Sequence, residues 1–212
     1  MKFIIFDFDG TLADTTRGIV KCYNASLEIM GLPAVDPGTI AQTIGLPLRE
    51  SFRTGMSVPE ERLDEATNTY RSIFESVAMP CVDGFEGVLD ALSTLSSMGM
   101  EMVIASSRGT PSLLLLSNRL GIDRYISEMW GVDKVEHAKP HPEMVLRLME
   151  KFGYEASETL VVGDTVYDLQ MGKSAGCRVC AVTYGNHSRE LLMTENPDFI
   201  VDNLRELPAL LG

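Results

Sequence analysis

Five short apolar runs constrain this chain most: Phe3–Phe6, Met102–Ala105, Leu160–Val162, Val179–Val182 and Phe199–Val201. Each is too short for a core helix, and the set is rich in β-branched residues. None alternates with polar residues, so each reads as a strand covered on both faces. Helical patterns lie between them. "GFEGVLDALSTLSSMG" gathers Val88, Leu89, Leu92 and Leu95 on one side and stops at Gly99. "TPSLLLLSNRLG" opens on Thr-Pro and closes on Gly121, and "PEMVLRLMEKFG" repeats the plan. Strand alternating with helix predicts an α/β fold: a Rossmann-like, mainly parallel sheet with helices on both faces.

One region breaks the alternation. From about Thr15 to Val82 there are only helical patterns and loops. "RGIVKCYNASLEIMG" is amphipathic, and "PEERLDEATNTYRSIFESV" is a long charged helix with apolar positions at Leu63, Ala66, Tyr70, Ile73 and Phe74. "LPAVDPG" and "GLPL" read as punctuation between helices. The expected organisation is a core formed by residues 1–14 and 83–212, with a small all-helical domain, 15–82, inserted after the first strand. No internal repeat or low-complexity segment is present.

Composition bounds the partners. The chain carries 18 Lys plus Arg against 30 Asp plus Glu, a formal charge of −12 in 212 residues. Such a chain lacks the unspecific phosphate affinity of nucleic-acid binders. A small anion is still admissible, because a bound cation can invert the local field. No stretch has the apolar length of a membrane span, and the Phe3–Phe6 run is too short for a secretory leader and is followed by acid. Four cysteines form no dense framework, so a cytoplasmic location is expected.

Three apparent motifs are set aside. Cys177-Arg178-Val179-Cys180 enters a strand-like run and reads as buried core, with no second ligand pair to complete a zinc site. "GKS" at Gly172–Ser174 has Tyr167 where a phosphate loop needs glycine. Asn24 and Asn186 open glycan-acceptor triplets that mean nothing without secretion.

Ligands of open parallel sheets bind beyond the carboxyl ends of the strands. The first run is followed by Asp7, Asp9, Gly10 and Thr11, the second by Ser106 and Ser107, the third by Gly163, Asp164 and Asp168. Lys139 stands ahead of a helix. Three carboxylates cannot share a site bare, and a hard divalent cation with oxygen ligands resolves their repulsion; Mg²⁺ suits carboxylates, water and a substrate phosphate. One carboxylate can then attack phosphorus, and a neighbour two residues on can serve as general acid and base. Lys139 and the Ser106 hydroxyl can hold the transferring oxygens. Phosphate-monoester hydrolysis needs up to about 10²¹-fold acceleration, so such a combination is proportionate.

"DFDGTLADT", "ASS", "KPHPE" and "VVGDTVYD", in this order, resemble the four motifs of the haloacid dehalogenase-like phosphohydrolases, over nearly the whole chain. Within that superfamily the chain looks like the phosphoglycolate phosphatase-like group, and the inserted helices match its cap. The resemblance implies that Asp7 is nucleophile and Mg²⁺ ligand. Asp9 would be the acid and base, giving its backbone carbonyl to the metal. Ser106 would bind the phosphoryl oxygens, with Thr11 and the Ser107 backbone nearby, and Lys139 would neutralise nucleophile and phosphate charge. Asp164 would ligate the metal, and Asp168 would stand behind it or hold Lys139. Asp9 sets the chain apart from dehalogenases and phosphonate hydrolases, which carry another residue there. "SSR" replaces the group's common "TNK", which leaves the substrate open.

Arg49 and Arg108 are candidate substrate contacts, against the plain alternative of solvated arginines. His137 and His141 read as loop residues rather than ligands, and the methionines as core. The leading expectation is a Mg²⁺-dependent phosphatase acting on a small phosphorylated substrate, as a monomer or homodimer. Rival expectations are a sugar-phosphate mutase, an inorganic pyrophosphatase and a catalytically silent phosphate-binding protein. A phospho-acceptor signalling domain would place its aspartate on a later strand.

Overall fold

The computed structural model describes residues 1–212. Strands run at β1 (Phe3–Phe6), β2 (Ala13–Asp14), β3 (Asp83–Gly84), β4 (Glu101–Ala105), β5 (Glu128–Trp130), β6 (Thr159–Gly163), β7 (Arg178–Val182) and β8 (Phe199–Val201). Six of them form one parallel sheet in the order β5-β4-β1-β6-β7-β8. From β1 the chain steps outward through β4 to β5, then returns to β1's other side at β6. That reversal places the switch point, and the crevice it makes, at the carboxyl end of β1.

β1 shows why unalternating runs were needed. All four of its side chains are fully buried. Ile4 and Phe6 join the apolar cluster on one face, Phe3 and Ile5 the cluster on the other. Burial of such a side chain stabilises by about 1.5–3 kcal/mol, and here both faces contribute. The first face is covered by α5 (Val88–Ser97), α6 (Thr110–Leu120) and α10 (Leu207–Leu211), the second by α7 (Glu143–Phe152), α8 (Val166–Ser174) and α9 (Arg189–Met193).

Residues 16–81 contain only helices: α1 (Thr16–Ile29), α2 (Pro37–Ala41), α3 (Leu48–Thr54), α4 (Leu63–Val77) and two short 3₁₀ turns. Tyr23 packs against Phe52 and Tyr70, each ring centroid 4.8 Å away. The "punctuation" proves to be helix starts. Pro37 occupies the first turn of α2, and Asp36 caps it by accepting from the Thr39 N–H at 3.1 Å. Pro47 stands just ahead of α3. β2 and β3 pair antiparallel where the chain leaves and re-enters the sheet. The apolar residues of α1, α3 and α4 are continuous with the cluster on the first face of the sheet.

Cys177 and Cys180 lie in opposite clusters and are unpaired, their thiols pushed up by burial to about 11 and about 12. Gly172 sits inside α8, packed on Val161 and Val179. No helix is long and apolar enough to cross a membrane.

Candidate active site

The chain turns sharply after β1. The Phe8 carbonyl accepts from the N–H groups of both Leu12 and Ala13 at 3.0 Å, and Gly10 takes φ of 92°. A side chain at Gly10 would overlap the Asp164 carboxylate and the Asn186 amide, so only glycine lets this loop close over them. The turn leaves Asp7 buried at the base and Asp9 two residues on, facing a cavity of about 510 Å³.

Beneath Asp7 lies a charged cluster. Lys139, fully buried in the loop ahead of α7, bonds Asp7 and donates to Asp168 Oδ1 at 2.7 Å. Asp168 reaches Lys139 because α8 begins with a capping box. Its Oδ2 accepts from the Thr165 N–H at 3.0 Å and from the Thr165 hydroxyl at 2.6 Å. Both Asp168 oxygens are therefore engaged by protein donors, which favours the reading that it holds Lys139. A side chain at Gly163 would collide with Asp168.

Asp164 follows β6. Its Oδ1 accepts from the Thr11 hydroxyl at 3.0 Å, and its Oδ2 from Asn186 N–H at 2.7 Å and Asn186 Nδ2 at 2.8 Å. Carboxylate oxygens of Asp7, Asp164 and Asp168 lie within 4.8 Å of one another. The side chain of Asp9 is outside this group.

Charge does not balance here. Three buried carboxylates face one ammonium. Burial pushes the Asp7 carboxyl well above the usual range, and pushes Asp164 up to about 7. Lys139 moves the other way from what burial demands: Asp168 and Asp7 outweigh desolvation and hold it charged. An all-oxygen donor set with surplus negative charge fits a hard divalent cation.

The cavity side is lined by Asp7, Asp9, Ser106, Ser107 and Arg108, and by Tyr23, Arg49, Tyr70, Arg71 and Phe74 from the helical segment. Ser106 follows β4, and its hydroxyl accepts from the Arg108 N–H at 3.2 Å. The Ser107 hydroxyl donates to the Gly45 carbonyl of the helical segment at 2.6 Å. Arg49 lines the rim and is held by Glu60 at 3.0 Å and Asp64 at 3.2 Å. Arg108 is turned onto Asp9.

Thr11, Lys139, Asp164 and Asp168 thus lie behind Asp7, while Asp9, Ser106, Ser107, Arg49 and Arg108 border the cavity beside it. At the surface, His137, His141 and Glu143 also come within 4.8 Å. Their polar atoms bond one another: Glu143 Oε2 meets His137 Nδ1 at 2.9 Å, and the Glu143 N–H donates to His141 Nδ1 at 3.2 Å. They read as a loop closed by its own side chains.

Asn186 was missed as a site residue. It orders Asp164 by two bonds, accepts from the Thr16 hydroxyl at 2.8 Å, and ties the first helix of the insertion to the acidic cluster. It follows β7, so applying the strand-end rule to a fourth run would have reached it.

Residues 4–182 match the family described as haloacid dehalogenase-like hydrolase. The chain belongs to this family. Among haloacid dehalogenase-like relatives, it is 38% identical over 208 residues to a Dickeya dadantii protein named "Probable phosphatase IndB", covering 96% of this chain and 90% of that one. It is 31% identical to "Pyrophosphatase PpaX" of Anoxybacillus flavithermus, covering 99% and 96%. It is 30% identical to "Phosphoglycolate phosphatase" of Pectobacterium atrosepticum, covering 100% and 93%. A solved haloacid dehalogenase-like protein from Streptococcus pneumoniae superposes with a TM-score of 0.90 at 25% identity, covering 100% of this chain and 99% of that one. Within the family the chain falls in the phosphatase-like group.

Proposed function

We propose that the protein is a Mg²⁺-dependent phosphatase that hydrolyses a small phosphate ester through an aspartyl-phosphate on Asp7. The observation that carries this is the position of Asp7: its carboxylate joins a buried, over-charged acidic cluster on one side and borders the cavity on the other. The Asp7 oxygen attacks phosphorus, a P–O bond to Asp7 forms, and the ester P–O bond breaks. Asp9 gives its proton to the departing oxygen. A water then attacks the phosphorylated Asp7, passing a proton back to Asp9. Its oxygen bonds phosphorus, the P–O bond to Asp7 breaks, and phosphate leaves. Ser106, on the cavity wall, would hold phosphoryl oxygens, and Lys139, paired with Asp7 from behind, would neutralise its charge.

Mg²⁺, held by the carboxylates of Asp7 and Asp164 and the Asp9 carbonyl, would neutralise charge on the transferring group. Residues 15–82 act as a lid on the core formed by 1–14 and 83–212, excluding water and selecting the substrate. The four free cysteines suit a reducing, cytoplasmic setting.

The test is phosphate release from 2-phosphoglycolate, hexose phosphates, nucleotides and pyrophosphate, with and without Mg²⁺. Mg²⁺-dependent release by the wild type is expected, and Asp9→Asn should slow it about 10²-fold or more. Fastest release from pyrophosphate would assign the activity carried in one relative's name. Phosphoryl exchange without net release would mean a mutase, and no reaction with any member would leave only binding.

Two further results follow from the acidic cluster. Asn186→Ala should weaken Mg²⁺ binding by about 10–100-fold in calorimetric titration, because an unoriented Asp164 is a poorer ligand. In chelator, Asp164→Asn should gain stability relative to wild type as pH rises from about 4 to about 7. The sign follows from linkage: the folded-state value of Asp164, about 7, lies above the ordinary 3.8, so the wild type binds more protons folded than unfolded across that window. Its stability therefore falls there as pH rises, and the asparagine escapes that loss. Denaturant melts at pH 5 and pH 7 read the difference, and Mg²⁺ should shrink it.

A further inference from the structure

Asp9 and Arg108 stand 99 positions apart and meet face to face. Nη2 donates to Oδ1 at 2.6 Å and Nε to Oδ2 at 3.0 Å, a two-pronged contact between side chains only 8% and 12% exposed. The third guanidinium nitrogen, Nη1, donates to Ser112 Oγ at 2.8 Å. The Phe74 ring, from the helical segment, lies 4.7 Å from the guanidinium carbon. Arg108 is therefore seated by both halves of the molecule, and it occupies both oxygens of Asp9.

This geometry conflicts with the role of Asp9. A carboxyl that hands a proton to a departing oxygen must turn an oxygen toward it, and a two-pronged guanidinium takes a lone-pair site on each oxygen and fixes the carboxylate's orientation. In this pose Arg108 opposes that turn of the Asp9 carboxyl. Neutral groups compete poorly with a buried carboxylate for a guanidinium, whereas another anion competes well. The cavity offers such an anion a second cation. Arg49 is engaged by Glu60 and Asp64, but Arg71, on the same wall, has no carboxylate within salt-bridge distance.

We propose that Arg108 is an anion-gated clamp on Asp9: a second anionic group of the substrate, remote from the transferred phosphoryl, draws Arg108 away with help from Arg71 and so frees Asp9 to act. This rests on the phosphatase reading and deepens it. The substrate class is a small phosphate ester or anhydride that carries a further carboxylate or phosphate. Substrates without that group bind while Asp9 stays clamped, so discrimination falls on kcat as well as KM.

The test compares 2-phosphoglycolate with ethyl phosphate, which differ by a carboxylate in place of a methyl group. Pyrophosphate as a third arm tells carboxylate from phosphate as the releasing anion. Wild type should prefer a doubly anionic substrate over ethyl phosphate by about 10²-fold in kcat/KM. Arg108→Met should lose about 10-fold or more on the doubly anionic substrate and gain in kcat on ethyl phosphate, so that the preference collapses. Arg71→Gln, at an exposed position, should lower kcat/KM on the doubly anionic substrate alone.

Equal losses on all three substrates in Arg108→Met would overturn the clamp and leave Arg108 as a positioning residue. A wild type that favours ethyl phosphate, or a preference that survives both substitutions, would also overturn it. A wild type inert toward all three and toward the wider panel would strike down the phosphatase reading itself.

Discussion

Asp7→Asn is expected to abolish turnover, by about 10⁴–10⁶-fold in kcat, while the protein stays folded. The amide nearly matches the carboxylate in shape but has no electron pair basic enough to attack phosphorus. The substitution also removes one of three buried carboxylates that share a single ammonium. Because burial already pushes the Asp7 carboxyl upward, the neutral amide should cost the metal-free fold nothing and should raise its melting temperature. Phosphate-release kinetics and a thermal melt in chelator measure both effects. Retention of more than about one per cent of wild-type kcat would remove the covalent route.

Lys139→Met carries the second large effect, and it acts on two properties. Loss of the ammonium leaves Asp7 and Asp168 facing each other in a fully buried site. Breaking a buried pair by removing one partner costs about 3–5 kcal/mol. Removing the ammonium that pairs with the Asp7 carboxylate should lower kcat by about 10²–10³-fold. The stability part has a pH signature. Lys139 is held above its ordinary 10.5 in the folded protein, so its contribution is complete below about pH 10.5 and fades as pH rises through the folded value. Wild type and variant should differ most in urea melts near pH 8 and converge in strong alkali. A constant difference across that range would mean that lost packing, not lost charge, is responsible.

Much of the fold was legible because β1, β4, β6 and β7 are buried on both faces, and burial on both faces writes an unbroken apolar run into the chain. β5 escaped for the converse reason: it is a three-residue strand at the sheet edge, and Glu128 at its start breaks the apolar signal. The small β2–β3 ribbon has two residues per strand and no apolar pattern at all. In the helical segment, Pro37 and Pro47 carried the right message, that a boundary lies there, but proline stops and starts helices alike.

The candidate site was legible as a list and not as a set of contacts. Strand ends nominate Asp7, Ser106 and Asp164 because a parallel sheet gathers its carboxyl ends on one edge. Nothing local says that Arg108 will grip Asp9, since that pair depends on β4 lying beside β1 and on Phe74 arriving from the helical segment. Asn186 was hidden by the same long-range logic, being read only within its own triplet. Thr11, expected near the phosphoryl oxygens, gives its hydroxyl to Asp164, and Ser107, expected there through its backbone, gives its hydroxyl to the Gly45 carbonyl.

The most direct test of the central claim is to trap the phosphoenzyme. The protein is mixed with Mg²⁺ and the ³²P-labelled ester that it hydrolyses fastest, then quenched in acid within one turnover. One hydroxylamine-labile label is expected on the peptide that contains Asp7, accumulating further in Asp9→Asn and absent in Asp7→Asn. Label on another residue, or rapid phosphate release with no label on the protein, would contradict it.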